Sequence, residues 1–358
     1  MTDDNVYLTS DNWSGAHPNI VSAMVDANEG AWKSYGLSDR EKALEQTFCE
    51  IFEIDLRVYL CASGTAANAL GIAAMSRPGD VLYTHTEAHV RVDECGAPIF
   101  LSPGLQIEPV AGSFGKINPF ALQAATDTTA GGGLNAGRVG GLSITQATEA
   151  GTVYSLSEID ELVGIMRNAR PNAPIHMDGA RFANALAALQ ATPAEMTWKR
   201  GVDILSFGAT KNGCWCAEVI LVFNSTFAEH MDYLRKRAGH LVSKMRFMTA
   251  QFEAYFRDDL WLTLAKQANN RASQIAEAVN NAPDIRIAWD CEINEVFAVM
   301  PAQKLNALVA RGIHCALWQP PTAERSIVNE NEVMVRFVAS WATSDSEIEQ
   351  FERLLHHS

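Results

Sequence analysis

The sequence predicts an α/β fold with a large domain, built on a mostly parallel seven-stranded sheet between helices, and a small α+β domain at the C-terminus. Three observations carry this. Short apolar runs alternate with helix-like segments up to Phe223, the pattern of parallel strands joined by crossover helices. The rhythm stops there, and 225–280 reads as largely helical. At 358 residues the chain can also bury more than one core. The expected divisions are an N-terminal arm at 1–17, a large domain at 18–255 and a small domain at 256–358.

The elements follow in order. Residues 18–29 read as a helix with Pro18 in its first turn and Gly30 past its end. A second helix at 39–53 places Leu44, Phe48, Ile51 and Phe52 at helical spacing. Seven strands are expected at Val58–Cys61, Val81–Thr84, Pro98–Leu101, Leu142–Thr145, Ile175–Met177, Ile204–Phe207 and Glu218–Phe223, with helices near 65–76, 117–125, 156–169 and 180–188. The small domain should hold strands near 285–289, 295–299, 314–318 and 333–338 and helices near 302–310 and 344–355. The glycine-rich stretch Gly131–Gly141 reads as a surface loop, since no helix follows it to make a phosphate cradle.

Hydrophobic content of 47% and charged content of 20% describe an ordinary globular chain. The net charge of −14 argues against nucleic acid or an anionic membrane as partner. Seven cysteines, an odd number set mostly in apolar runs, suit reduced thiols in a cytoplasm. Cys214 and Cys216 are too closely spaced for a zinc clamp, and no metal site is expected. Met-Thr-Asp-Asp at the start shows no signal-peptide pattern, and no run approaches the ~20 apolar residues of a membrane span.

The chemistry centres on Lys211, just past the Ile204–Phe207 run, and Asp178, at the end of the preceding one. A lysine and an aspartate so placed are what pyridoxal phosphate requires: the amine to bind its aldehyde, the carboxylate to keep the pyridine nitrogen protonated. Ser63, Gly64 and Thr65 follow a strand and open a helix, where small residues and a helix N-terminus suit a phosphate. His89, with His85 nearby as a second candidate, is placed to lay a ring on the cofactor. Arg181, three residues after Asp178, can reach the cofactor's phenolic oxygen. Arg336 interrupts an apolar strand with a fork suited to an α-carboxylate.

Together with further motifs, these residues resemble the low-specificity L-threonine aldolases, including the phenylserine aldolase branch, of the fold type I pyridoxal-phosphate superfamily. The motifs are TSDNWSGAHP (9–18), SYG (34–36), SGTAAN (63–68), Ala88-His89, TQATEAGT (145–152), HMDGAR (176–181), ATKNG (209–213) and VRF (335–337). They span nearly the whole chain. The resemblance implies that Lys211 holds the cofactor, Asp178 pairs with its ring nitrogen, and Gly64 and Thr65 hold its phosphate. It further implies that Ser10 and Arg336 grip the substrate carboxylate. Tyr35 and the run Arg235–Arg237 would lie near an interface of a homotetramer and reach a neighbouring site, Tyr35 as a substrate-binding residue. The implied reaction cleaves a β-hydroxy amino acid to glycine and an aldehyde, a β-eliminating lyase or aminotransferase being the alternative. Trp13, Trp215 and Trp318 would suit an aromatic substrate side chain.

One departure from the family pattern stands out. Many members carry a second histidine that contacts the substrate hydroxyl, whereas no histidine lies between His89 and His176 here. Glu149 is the nearest titratable substitute. The base is left open between His89, Glu149 and an ordered water.

Overall fold

The computed structural model describes residues 5–356. Met1 to Asp4, on which the reading of the N-terminus rested, lie outside the described residues. A seven-stranded sheet forms the centre of the larger part. From edge to edge its strands are Arg57–Cys61, Glu218–Val222, Ile204–Gly208, Ile175–Gly179, Arg138–Thr145, Asp80–His85 and Gln106–Val110. Glu218–Val222 is antiparallel to both neighbours, and the other pairings are parallel. The inner strands are almost wholly buried, which explains why their sequences are apolar runs without alternation.

Local signals fix the helix boundaries. Helix Leu156–Ala169 begins where predicted because Ser155 and Glu158 cap each other: the Glu158 N–H donates to the Ser155 hydroxyl at 3.2 Å, and the Ser155 N–H donates to the Glu158 carboxylate at 2.7 Å. Ser63 caps Gly64–Met75 in the same sense, accepting from the Ala66 N–H at 3.3 Å. On one face of the sheet Phe48, Phe52, Phe182, Phe207 and Phe252 pack ring on ring, fully buried. Truncating one of these to alanine would cost about 3–5 kcal/mol.

Two expectations are corrected. Pro98–Leu101 is not a strand but part of the helix Ala97–Leu101, entered through Gly96 in the left-handed region, with Phe100 81% exposed. The seventh strand is Gln106–Val110, which lies at the sheet edge, carries Pro109 and is mostly exposed. An edge strand tolerates proline and polar residues, so it lacks the apolar run that marks the others. The glycine-rich stretch is likewise not a loop. It completes helix Pro119–Gly132, makes a short turn, and enters strand Arg138–Thr145. A Cβ at Gly140 would stand 2.7 Å from Val81 O, and one at Gly141 2.8 Å from Pro174 O. These two glycines let the strand seat against its neighbours.

The second sheet has four antiparallel strands in the order Arg286–Ile287, Glu295–Pro301, Glu332–Val338, Ala316–Trp318. Its core, with Ile275, Val279, Val335, Phe337 and Phe351, is separate from the large one. Helix Leu260–Asn281 joins the two, with Trp261 and Ala265 in the large core and Ala272, Ile275 and Val279 in the small. Val6 and Leu8 also sit in the small core, and Val6–Tyr7 pairs with Ile313–His314. The Val338 N–H donates to Leu8 O at 2.8 Å, which anchors the chain just before Ser10. Among the described residues, no helix is long and apolar enough to cross a membrane.

Candidate active site

The five parallel strands that carry expected site residues present them at one edge, the carboxyl ends where ligands bind in open α/β sheets. Strand Arg57–Cys61 leads to Ser63, Gly64 and Thr65; Asp80–His85 to His89; Arg138–Thr145 to Glu149. Ile175–Gly179 carries Asp178 near its end and leads to Arg181, and Ile204–Gly208 leads to Lys211. The N-terminal turn Asp11–Trp13 packs against the turn Thr210–Asn212 that holds Lys211. Burial, and then the positive charge of Arg181, draw the Lys211 amine below its ordinary pKa. That favours a neutral amine.

On one side of Lys211 lies a hydrogen-bonded chain. Asn68 donates from its amide nitrogen to Asp178 Oδ2 at 2.7 Å and to Glu94 Oε1 at 2.8 Å. Glu94 Oε1 lies 2.9 Å from His89 Nδ1. One ligand atom each of His89, Glu94 and Asp178 fall within 4.8 Å of one another. The bond to Glu94 raises the His89 pKa, and burial raises that of Glu94. Glu149 adjoins this chain, accepting from the His89 N–H at 2.6 Å and from the Thr145 hydroxyl at 3.0 Å. Burial pushes its carboxyl up to about 7, and its Oε2 has no partner among the described residues. A cavity of about 210 Å³ opens beside it, lined also by Val92, Gly115, Trp318 and Pro321.

On the other side lies a set of ion pairs. Arg181 donates to both oxygens of Asp11, at 2.8 and 3.1 Å, and its Nη2 lies 3.2 Å from Glu295 Oε1. Arg336 donates to the same Glu295 oxygen at 3.1 Å, its guanidinium 4.3 Å from the Trp318 ring centre. Asn294 adds a bond to Asp11 at 3.0 Å. Despite burial, Arg181 and Lys211 hold Asp11 below the usual carboxylate range.

The remaining expected residues are placed differently. Ser10 caps the N-terminal turn, accepting from the Asn12 N–H at 3.2 Å. Tyr35, 42% exposed, lines a separate cleft with Arg57, Tyr59 and Arg235 and shares none of the contacts above. His85 is buried, and its Nδ1 accepts from the Glu87 N–H at 3.1 Å. Trp318 reaches the site, while Trp13 lies tilted against Tyr7 and His314 and, like Trp215, is exposed. Asp11 and Asn68 lie inside the quoted motifs but were given no role, and Glu94, Glu218 and Glu295 lie outside them. Glu218 takes hydrogen bonds from Thr210 beside Lys211, and burial pushes its carboxyl up to about 7.

This edge fits pyridoxal phosphate. It offers an amine with a lowered pKa opposite a buried carboxylate, and a helix N-terminus with space above it. A Cβ at Gly64 would meet only Glu218 Oε2, at 3.9 Å, so the cup is open. The unpartnered Asn68 Oδ1 and Glu149 Oε2 add polar atoms still to be satisfied.

Comparison with known proteins agrees. The β-eliminating lyase family model matches residues 7–302. A Pseudomonas aeruginosa protein named low-specificity L-threonine aldolase is 37% identical over 99% of this chain and 98% of its own length. A protein of the same name from another Pseudomonas is 36% identical over 98% and 97%. Among solved structures, the Leishmania major threonine aldolase superposes with a TM-score of 0.87 at 22% identity, covering 97% of each chain. The Sphingomonas wittichii serine palmitoyltransferase shares the fold at 0.70 and 12% identity, over 99% of this chain and 86% of its own. The chain belongs to the β-eliminating lyase family and, within it, to the low-specificity L-threonine aldolases.

Proposed function

We propose that the protein is a pyridoxal-phosphate-dependent aldolase that cleaves L-threonine, L-allo-threonine and phenylserine to glycine and an aldehyde. The observation that carries this is that Lys211 and Asp178 share one edge of the large sheet, while Arg336, on the small sheet, is tied to that edge through Glu295 and Arg181. Lys211 would carry the cofactor, Asp178 face its ring nitrogen, Ser63, Gly64 and Thr65 hold its phosphate, Arg181 reach its phenolic oxygen, and His89 lie on the ring. When bound, the cofactor supplies an electron sink for the negative charge left at the α-carbon.

The chain's own groups do the rest. Arg336 and Ser10 hold the α-carboxylate, an arginine fork being suited to two parallel bonds. Glu149 accepts the β-hydroxyl proton as the Cα–Cβ bond breaks and the aldehyde leaves, and a proton delivered to the α-carbon completes glycine. Its carboxyl near 7 is matched to neutral pH, and its Oε2 is uncommitted. His89 is the poorer acceptor because Glu94 occupies its Nδ1 and its ring would be given to the cofactor. The cavity walls of Val92, Trp318 and Pro321 support an aromatic substrate side chain.

A homotetramer with sites near subunit interfaces, in a cytoplasmic setting, completes the reading. The resemblance carries the first, and seven free thiols support the second. The deciding experiment incubates the enzyme with threonine, allo-threonine and phenylserine separately and measures glycine. Equimolar glycine and aldehyde are expected from each, whereas pyruvate with ammonia, or a new amino acid, would overturn the assignment in favour of its lyase or aminotransferase relatives.

A further inference from the structure

The two arginines beside Lys211 share a carboxylate to which no motif gives a role. Glu295 is 1% exposed on strand Glu295–Pro301. Arg336 lies on the facing strand opposite Phe297, so Glu295 and Arg336 are diagonal neighbours on one face, within reach for long side chains. Glu295 Oε1 takes both Arg181 and Arg336, at 3.2 and 3.1 Å, while Oε2 has no partner among the described residues. With Asp11 on Arg181, the cluster holds two positive and two negative charges and is neutral before any substrate arrives. Arg336 is therefore not a free cation. Glu295 fixes one of its terminal nitrogens, and the Trp318 ring lies 4.3 Å away.

We propose that Glu295 is a positioning residue that aims Arg336 at the substrate carboxylate and, by offsetting its charge, keeps that grip weak enough for glycine to leave. The inference rests on the aldolase reading above. A carboxylate entering a cluster with excess positive charge would be held tightly in so dry a site. One entering a neutral cluster is chosen by the geometry of the fork and released readily. The ionisable groups that face Glu295 are Arg181, Arg336, Lys211, Cys291 and, through Arg181, Asp11.

The test uses the holoenzyme and glycine itself. Glu295→Gln keeps the accepting oxygen and removes the charge. Glycine, titrated by calorimetry and by the change in cofactor absorbance, should bind about tenfold tighter. KM should fall with kcat, and the pH midpoint of the cofactor band should move down, as added positive charge disfavours a proton nearby. Glu295→Asp keeps the charge but shortens the reach, so it should loosen Arg336 and weaken glycine binding. Glycine affinity and band midpoint unchanged in both variants, with only the melting temperature lowered, would reduce Glu295 to a structural staple. A wild-type enzyme that takes up no glycine would sink the aldolase reading and this inference with it. Normal wild-type uptake with unresponsive variants would sink this inference alone.

Discussion

Two buried polar groups flank Lys211, and they are made of different materials. On one side Asp178, Asn68, Glu94 and His89 are joined by hydrogen bonds through a neutral amide, with Glu149 attached at the His89 N–H. On the other Asp11, Arg181, Glu295 and Arg336 are joined by ion pairs. On the first side Glu94, Glu149 and the His89 imidazole have raised pKa values. The second is built on guanidinium groups, which stay charged at any working pH. The difference teaches a division of labour: one set of groups can move protons, and the other holds charge in place. Lys211 stands between, drawn down by burial and Arg181 and supported by Asp11, Glu295 and Asp178.

The largest expected effect comes from removing that shared member. Lys211→Ala should abolish the absorbance band of the lysine-linked cofactor and reduce glycine release to background. Both flanking groups keep their own bonds, so the protein should still fold, as circular dichroism would show. A variant with full aldolase activity would break the comparison at its centre.

A smaller loss should follow from altering the proton side alone. Glu149→Gln keeps size and hydrogen bonding but cannot take a proton. Turnover should fall by roughly 10²–10⁴-fold while the cofactor band persists, as steady-state kinetics and an absorbance spectrum on one sample would show. A mild loss with Glu149→Gln and a severe one with His89→Asn would move the base to His89 and redraw the proton side.

How much of this division could be read from sequence depends on where each residue sits. Lys211, Asp178, Arg181, His89 and the Ser63–Thr65 cup each follow an apolar run that did form a strand, so the strand ends pointed to them. Glu94 was hidden because Asp93-Glu94 reads as a solvated acidic pair, and only the fold brings it against Asn68 and His89. Asp11 and Glu295 pair across about 170 and 114 residues with Arg181, beyond any local pattern. Glu295 did leave a trace, since with Asn294 it sets a polar pair directly before the apolar run Val296–Met300. The missed edge strand at Gln106–Val110 and the misread run at Pro98–Leu101 share a cause. Exposure on one side decouples apolar composition from strand formation.

The smallest effect concerns stability and separates the two sides by pH. Glu149 and Glu218 both sit near 7 in the folded protein because burial disfavours their charged forms, against an ordinary value of 4.5. Between about 4.5 and 7 the unfolded chain releases these protons and the folded chain keeps them, so each residue makes stability fall as pH rises, by roughly 3 kcal/mol apiece. Above 7 both states are ionised and the contribution is level. Asp11 behaves oppositely: with its folded pKa below 3.8, its stabilisation is complete above that value and is lost only on further acidification. Buried His176, drawn down to about 4, adds an opposing slope as pH rises from 4 to 6.5, so the raw profile mixes signs. The difference between wild type and Glu218→Gln removes that shared background. In urea melts of the cofactor-free protein, the glutamine variant should gain on wild type as pH rises from 4.5 to 7 and then run parallel to it. A difference that stays constant across that range would mean that Glu218 is ionised throughout. Its charge would then be answered by Lys211, and the residue would belong with the ion pairs.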